Sequence, residues 1–248
     1  MSARPRALGS VTVSSSLRNE NSYDSHRQPL PEEVAAYLRE RIISGEVKPG
    51  EYLRMEPIAE ALGVSNTPVR EGLLALRSEG FVRLVPRRGF VVASFSRQDV
   101  RDLFWIQAQL AGELAARAAK MITPERLERL QDLVDEHEKV VAEGGNTDAI
   151  ASLAHAFHRE INLTAQSDHL ALLLGHVVRQ LPNRFYAEIE GQVGGSLVDH
   201  PSILDALRDR DSRRARRLME KHLLGRADQL IEMLELRGVW KDGDERAS

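Results

Sequence analysis

Four polar side chains that can recognise DNA stand together at the start of a predicted helix. They are Ser65, Asn66, Thr67 and Arg70. The amide of Asn66 can pair with adenine through two hydrogen bonds, and the guanidinium of Arg70 can pair with guanine or with a phosphate. The free N–H groups at a helix N-terminus also attract phosphate. This combination indicates a nucleic-acid contact.

A second basic segment lies in a turn between two β-strand-like runs, 81–85 and 90–93. The turn contains Arg87, Arg88 and Gly89. Arginines at the tip of such a hairpin can reach a minor groove or the phosphates beside it. We therefore predict a second DNA contact at this tip.

The elements that would position both segments follow one another in a defined order. A short helix is predicted over 56–62, and Gly63 closes it because glycine readily adopts the left-handed conformation of a helix end. Ser65 then caps a second helix, 67–79. The predicted inner face of this second helix is Val69, Leu73, Leu74 and Leu76. Helix, tight turn, helix and hairpin in this order predict a winged helix-turn-helix.

Three histidines in the second half of the chain could ligate a metal ion. His158 lies about 40° from the centre of the apolar stripe of a predicted helix, and His222 shares a helix face with Met219. His200 precedes Pro201 at a predicted helix start. Three imidazoles from three elements suit Zn²⁺ or Ni²⁺. The same side chains could instead be hydrogen-bonded pocket residues without a metal, or could hold an acidic group of a ligand directly.

From residue 96 onward the apolar spacing is helical almost throughout. Helices are predicted near 97–120, 124–143, 147–166, 169–190, 201–209 and 212–236. Thr123 and Pro124 suit the start of the second of these helices, and Pro182 is expected to kink or split the fourth. Amphipathic helices joined by short loops predict an antiparallel bundle.

The composition agrees with a mainly helical protein. Of 248 residues, 5% are aromatic and 29% are charged, and the absence of cysteine excludes disulfides, Cys-ligated metal sites and a cysteine nucleophile. Residues 64–93 hold five arginines and two glutamates, so a small basic module precedes a more acidic remainder. No apolar run approaches the ~20 residues of a membrane span, and no secretory signal is visible, so we expect no membrane association and a cytoplasmic protein.

Residues 30–93 resemble the DNA-binding domain of the GntR family of regulators. The resemblance is carried by the run 55–73, MEPIAEALGVSNTPVREGL, by 38–45 and 49–51 before it, and by Arg88-Gly89 in the hairpin. It implies that the partner is double-stranded DNA. At Asn66 the family usually has an arginine that reads a base, so the usual operator of the family is not expected here.

Residues 97–236 resemble the FCD ligand-binding domain, which indicates the FadR subfamily. The matching strings are AARAA at 115–119, AFHR at 156–159 and DHPSILDAL at 199–207, followed by His222. In that family one aspartate and three histidines often hold a divalent metal, and carboxylate effectors bind beside it. The resemblance thus assigns a Zn²⁺ or Ni²⁺ ion to His158, His200 and His222, although the aspartate of the family is Ala154 here.

The effector pocket implied by this resemblance also differs from the family pattern. Gln107 stands where many members have an arginine that helps to hold an anionic ligand. We predict that Gln107 and Asn162 donate hydrogen bonds to the effector and that Arg184 supplies a positive charge. The expected effector is an organic acid or a less anionic metabolite.

These observations predict a mainly α-helical protein with an N-terminal winged helix-turn-helix, a short two-stranded wing and an antiparallel, all-helical FCD-type bundle. The predicted parts are a disordered tail (1–28), the DNA-binding domain (29–95), the effector-binding and dimerisation domain (96–238) and a second tail (239–248). The predicted function is a repressor that binds a palindromic operator as a homodimer. A metal-dependent enzyme is an alternative, although no HExxH motif is present, and a helical scaffold that binds protein is another.

Overall fold

The computed structural model describes residues 29–191 and 195–240. Its first part contains three helices and three strands, α1 (Leu30–Ile43), β1 (Tyr52–Leu53), α2 (Met55–Leu62), α3 (Asn66–Ser78), β2 (Val82–Val85) and β3 (Gly89–Val92). Seven further helices follow, α4 (Arg97–Met121), α5 (Pro124–Ala142), α6 (Thr147–Thr164), α7 (Asp168–Val178), α8 (Asn183–Gly191), α9 (Gly195–Arg208) and α10 (Ser212–Leu236). The predicted fold class, a winged helix-turn-helix followed by a helical bundle, is confirmed. The predicted tail over 1–28 lies outside the described residues, as do 192–194 and 241–248.

The turn between α2 and α3 has the geometry that its residue types predict. Gly63 ends α2 with φ of 64°, the left-handed conformation that costs glycine least. Ser65 is the N-cap residue of α3 with an extended backbone, but its side chain makes no capping hydrogen bond. The hydroxyl of Ser65 is therefore not committed to the helix that it precedes.

Helix α3 packs against α1 through a buried face. Val69, Leu73 and Leu76 are fully buried there. Leu74, which the sequence pattern placed on this face, is instead exposed, because at about 100° per residue it points away from its buried neighbours.

The two helices approach each other most closely at Gly72. A Cβ atom at this position would lie 2.8 Å from the carbonyl oxygen of Pro31 and 2.9 Å from the Cβ atom of Val34. Both of these atoms belong to α1 and cannot swing aside as the end of a flexible side chain could. The separation of α1 and α3 thus requires glycine at 72.

The wing belongs to a three-stranded antiparallel sheet with the order β1-β3-β2. The pairing of β2 with β3 brings Val82 opposite Val92 and Val85 opposite Gly89, as the predicted hairpin requires. Strand β1 was not predicted, since its two residues are too few to show alternation. It pairs Tyr52 with Val91 on the other side of β3.

Two 25-residue helices, α4 and α10, run antiparallel along each other and join both parts of the molecule. Arg97 near the start of α4 pairs with Glu235 near the end of α10, and Glu113 further along α4 pairs with Arg216 near the start of α10. One apolar cluster combines the core of the winged helix with Phe104 of α4, α8 and the last turns of α10. A second cluster combines the middle of α4 with α5, α6, α9 and the first half of α10.

Proline has two different effects in the bundle. At Pro182 the predicted fourth helix is split into α7 and α8, as expected. At Pro201 the prediction of a helix start was wrong, because α9 already begins at Gly195 and contains Pro201. The helix continues past the proline because Ile203 and Leu204 are buried, and because the hydroxyl of Ser202 donates to the carbonyl of Val198.

The helix starts in the bundle follow their capping signals. Thr123 caps α5 by accepting a hydrogen bond from the N–H of Arg126, and Asp211 caps α10 by accepting from the N–H groups of Arg213 and Arg214.

Among the helices of the described ranges, none has the combination of length and apolarity needed to cross a bilayer.

The contact at Gly72 generates a stability prediction. We expect Gly72→Ala to lower the free energy of unfolding by about 1–3 kcal/mol, because the added methyl group forces α1 and α3 apart. The matched control is Gly225→Ala on α10, where an added Cβ meets nothing within 4 Å. There alanine should raise stability by about 0.5–1 kcal/mol through helix propensity. Denaturant titration measures both changes, and equal effects at the two positions would contradict the steric account.

Candidate functional site

The exposed start of α3 presents the polar side chains that the sequence singled out. Ser65, Asn66, Thr67 and Arg70 are all exposed, on the side of α3 opposite to its buried residues. Three of them line an open surface depression, whose walls are Met55, Asn66, Thr67, Arg70, Glu71 and Leu74. The first turn of α3 contains no acidic residue, so nothing in that turn neutralises the positive end of the helix dipole. This surface suits a phosphate or the edge of a base.

The wing tip is equally accessible. Arg87 and Arg88 are exposed in the turn, and the N–H of Arg88 donates to the carbonyl of Val85 at 3.0 Å. Arg87 has φ of 63° and Gly89 has φ of 92°, so a residue with positive φ lies on each side of Arg88. Within 29–191 and 195–240 no carboxylate forms an ion pair with Arg70, Arg87 or Arg88. Their guanidinium groups are available to an external anion.

The three predicted histidines come together in the bundle. His158 on α6, His200 on α9 and His222 on α10 each place a ring nitrogen within 4.8 Å of the others. The Nε2 atoms of His158 and His222 are 3.2 Å apart. His200 and His222 are buried, whereas His158 is partly exposed. Spacing on the helices had predicted this convergence, and the structure places the side chains accordingly.

Asp199 fixes the orientation of one of these imidazoles. Its Oδ2 atom lies 3.0 Å from Nδ1 of His222. A carboxylate can only accept this hydrogen bond, so Nδ1 of His222 carries the proton. The lone pair of the neutral ring is then on Nε2, which faces His158 and accepts a hydrogen bond from Nε of Arg226 at 3.3 Å. The hydrogen bond from His222 also lowers the pKa of the Asp199 carboxyl below its ordinary value.

The surroundings of the other two imidazoles disfavour their charged form. Desolvation lowers the pKa of His158 and of His200 well below the usual histidine range, and the neighbouring imidazoles and Arg226 lower it further. Neutral imidazole is the form that binds a metal ion. Nε2 of His200 is buried and has no hydrogen-bond partner among the described residues. The cluster therefore has the protonation state and the spacing of a set of metal ligands.

Around the cluster, one position lacks the ligand that the resemblance implied, and one further histidine is present. Ala154 is buried one turn before His158 and offers no ligand atom, and His155 is exposed, with its ring 5.7 Å from that of Tyr186. A further histidine, His137 of α5, is buried with its ring 5.6 Å from that of His200. Sequence reasoning missed His137, although it follows the buried Leu130 and Val134 at helical spacing.

A cavity of about 150 Å³ opens beside His222. Its walls are Ile189, Asp199, Lys221, His222, Gly225, Arg226 and Gln229. Two of these side chains, Lys221 and Arg226, are positively charged, and Arg226 is almost completely buried. The cavity could hold a small anion.

The three residues that were predicted to bind an effector lie in three different environments. Gln107 is buried, and its Oε1 atom accepts a hydrogen bond from the hydroxyl of Tyr186, while its Nε2 has no partner among the described residues. Burial raises the pKa of Tyr186, so its hydroxyl remains a donor. Asn162 lies half-buried on α6, one turn beyond His158. Arg184 is placed elsewhere, since its guanidinium pairs with Glu40 of α1 at 2.7 Å, and Arg226 provides the cation at the cavity instead.

Two family models match the chain. The model described as "Bacterial regulatory proteins, gntR family" matches residues 30–92, and the model of the FCD domain matches residues 102–225. The first range contains the exposed start of α3 and the wing. The second contains the three histidines.

Curated relatives and solved structures agree with these matches. The HTH-type transcriptional regulator YdhC of Bacillus subtilis (strain 168) is 32% identical over 155 residues, which cover 60% of this chain and 68% of that protein. The HTH-type transcriptional repressor RspR of Escherichia coli (strain K12) is 23% identical over 86% of this chain and 94% of its own length. The solved structure of E. coli McbR/YncC has a TM-score of 0.59 at 23% identity and covers 85% of this chain and 99% of that chain, which shows a common fold.

The Asp199–His222 hydrogen bond generates a prediction about tautomers. In Asp199→Ala the acceptor for Nδ1–H is lost, so we expect His222 to lose its preference for the Nδ1-protonated form. Two-bond ¹H–¹⁵N correlation spectra of the histidine side chains at neutral pH measure this. Asp205→Ala on the same helix is the control, because Asp205 is exposed and pairs only with Arg208 in the described structure. An unchanged tautomer in Asp199→Ala would mean that Asp199 does not set it.

Proposed function

The chain belongs to the GntR family of bacterial regulatory proteins and carries an FCD domain, and on this premise we propose that it is a repressor that binds a palindromic operator as a homodimer and responds to a small-molecule effector. Members of this family are DNA-binding transcriptional regulators and not enzymes, which sets aside the alternative of a metal-dependent enzyme. The observation that carries the DNA-binding function is the exposed start of α3, which is held on a buried three-helix core. Its Arg70 forms no ion pair within the described residues.

In this proposal α3 lies in the major groove. Asn66 and Arg70 contact base edges, because an amide and a guanidinium make the paired hydrogen bonds that distinguish bases there. Ser65 and Thr67 contact the adjacent phosphates, where the dipole of α3 adds to the attraction. The wing places Arg87 and Arg88 near the minor groove, and Gly89 permits the turn that exposes them.

A homodimer is supported by exposed apolar side chains on two helices that pack against each other, α4 and α7. Helix α7 is rich in leucine and valine, yet Leu172 and Leu173 are more than half exposed. Trp105 on α4, the helix against which α7 packs, is 56% exposed, whereas its neighbour Phe104 is core. A second copy of the chain would cover this surface from the same elements, as a two-fold axis requires. The two α3 helices would then match a palindromic site.

The proposed effector is an organic acid that binds beside His222. Arg226 and Lys221 supply positive charge to the cavity. The buried Nε2 of Gln107 is a further donor without a partner among the described residues, on helix α4, which packs against α10. The cation at Arg226 makes an anionic ligand compatible with the site even though position 107 is not an arginine. A less anionic metabolite is the alternative, if Asp199 limits the net charge of the cavity.

The proposed metal is one Zn²⁺ or Ni²⁺ ion held by His158, His200 and His222. The fit rests on three convergent nitrogens, on the lowered pKa values of His158 and His200, and on a carboxylate that orients Nε2 of His222 toward His158, an arrangement common behind metal-binding histidines. An ion there would replace the hydrogen bond that Nε2 of His222 accepts from Arg226. With three protein ligands such an ion would leave a position open for an oxygen ligand.

Repression, rather than activation, is supported by the likeness to RspR, which is a repressor.

DNA binding is tested by Arg70→Ala in a gel-shift assay with the region upstream of the chain's own gene. We expect the specific affinity to fall about 10- to 100-fold, as for the loss of a base contact worth about 1–3 kcal/mol. The control is Arg77→Ala, because Arg77 is exposed on the same face two turns along α3 and should have a small effect. Two chains per duplex are expected. Specific binding that is unaffected by Arg70→Ala, or absent from the wild type, would contradict the proposal.

Metal binding is tested by elemental analysis of the purified protein after loading with Zn²⁺ or Ni²⁺ and removal of the excess. We expect about one ion per chain, and less than a tenth of that in the His158→Ala/His222→Ala double variant. His169→Ala is the control, since His169 is exposed on α7 away from the cluster. A wild-type protein that cannot be loaded would show that the cluster is a hydrogen-bonded pocket.

A further inference from the structure

The four residues after α10, Arg237 to Trp240, fold back toward the winged helix, and we refer to this segment as the Trp240 strap. Gly238 turns the chain with φ of 69°, and its N–H donates to the carbonyl of Glu235 at 2.8 Å. The N–H of Val239 then donates to the carbonyl of Leu234 at 3.1 Å. These hydrogen bonds attach the strap firmly to the end of α10. Sequence analysis gave Trp240 no role.

Trp240 holds the connection between β3 and α4. Its indole Nε1–H donates to the carbonyl of Phe95 at 2.6 Å. The guanidinium of Arg97 lies 5.0 Å from the centre of the Trp240 ring, a cation–π distance, and Arg97 also pairs with Glu235 of α10 at 2.5 Å. Phe95 of the connection and Arg97, the first residue of α4, are thus tied to α10 and the strap by three interactions.

The strap also contacts the winged helix itself. Val239 lies over Gly45 at the end of α1, where an added Cβ atom would be 3.7 Å from Val239. Both Val239 and Trp240 pack against the apolar cluster that includes α1 and α3. On the far side of the connection, the ring of Phe95 lies 5.5 Å from that of Phe81, which leads directly into β2 of the wing. The contacts therefore run from α10 to both α1 and the wing.

We propose that the Trp240 strap fastens the winged helix to the bundle and so makes the orientation of α3 follow the position of α10. This proposal is based on the chain connection: α10 contains His222 and Arg226 at the cavity, and the strap follows directly after its last residue. The fastening goes beyond the function proposed above. Its effect on DNA affinity rests on that function.

The fastening is tested by hydrogen–deuterium exchange in the full chain. In Trp240→Ala we expect the backbone amides of 93–97 to exchange at least tenfold faster than in the wild type, because the docked indole no longer restrains the connection. Trp240→Phe keeps a ring for Arg97 but loses the N–H donor, so it should fall between the two. The control is Leu236→Ala, since Leu236 is 85% exposed one turn before Trp240. Exchange at 93–97 that is unchanged in Trp240→Ala overturns the proposal.

Affinity for the upstream DNA fragment, measured on the same variants, tests the consequence. We expect Trp240→Ala to change the affinity at least fivefold and Leu236→Ala to leave it unchanged. Faster exchange together with unaltered affinity would overturn the claim that the strap sets the orientation of α3. A wild-type chain that binds no DNA would count against the function proposed above, and the exchange measurement would still decide whether the strap fastens the two parts.

Discussion

The packing of α4 against α10 is the interaction on which the rest of the structure depends. Each helix contributes to both apolar clusters, so neither the winged helix nor the bundle has a core that is independent of this pair. Opposite charges at both ends of the contact, Arg97 with Glu235 and Glu113 with Arg216, fix its antiparallel register. Between the two apolar clusters lies a polar layer that includes Gln107 of α4 and His222 and Arg226 of α10. The candidate ligand site is therefore built into the element that joins the two parts.

That polar layer is costly, because buried polar groups without partners destabilise a fold. Part of the cost is offset where Tyr186 donates to Gln107 and where Asp199 accepts from His222. Part of it remains, since Nε2 of Gln107 and Nε2 of His200 have no hydrogen-bond partner among the described residues. Burial also disfavours the charged form of His158 and His200, which leaves their nitrogens as lone-pair donors. A purely structural core would fill this layer with apolar side chains, so its composition favours a ligand-binding role.

The sequence predicted those features that depend on local chemistry. Gly63, Thr123 and Pro182 have their expected effects because caps and prolines act within one helical turn. Features decided by tertiary packing were missed. Strand β1 forms only because β3 lies beside it, and α9 continues through Pro201 because its apolar residues are buried. Arg184 forms an ion pair with Glu40, on a helix more than a hundred residues earlier in the chain. The convergence of three histidines was predictable from helical faces, but the contact of His222 with Asp199 was not, since it depends on the relative position of α9 and α10.

The close approach of α1 and α3 at Gly72 determines how any signal can act on the recognition surface. With backbone and Cβ atoms of α1 in contact range of position 72, α3 cannot move closer to α1 at this point. We therefore expect a displacement that reaches α1 through the bundle to move α3 with it. In the homodimer proposed above, an effector would change the distance and angle between the two α3 helices, and each helix would keep its place on its own core.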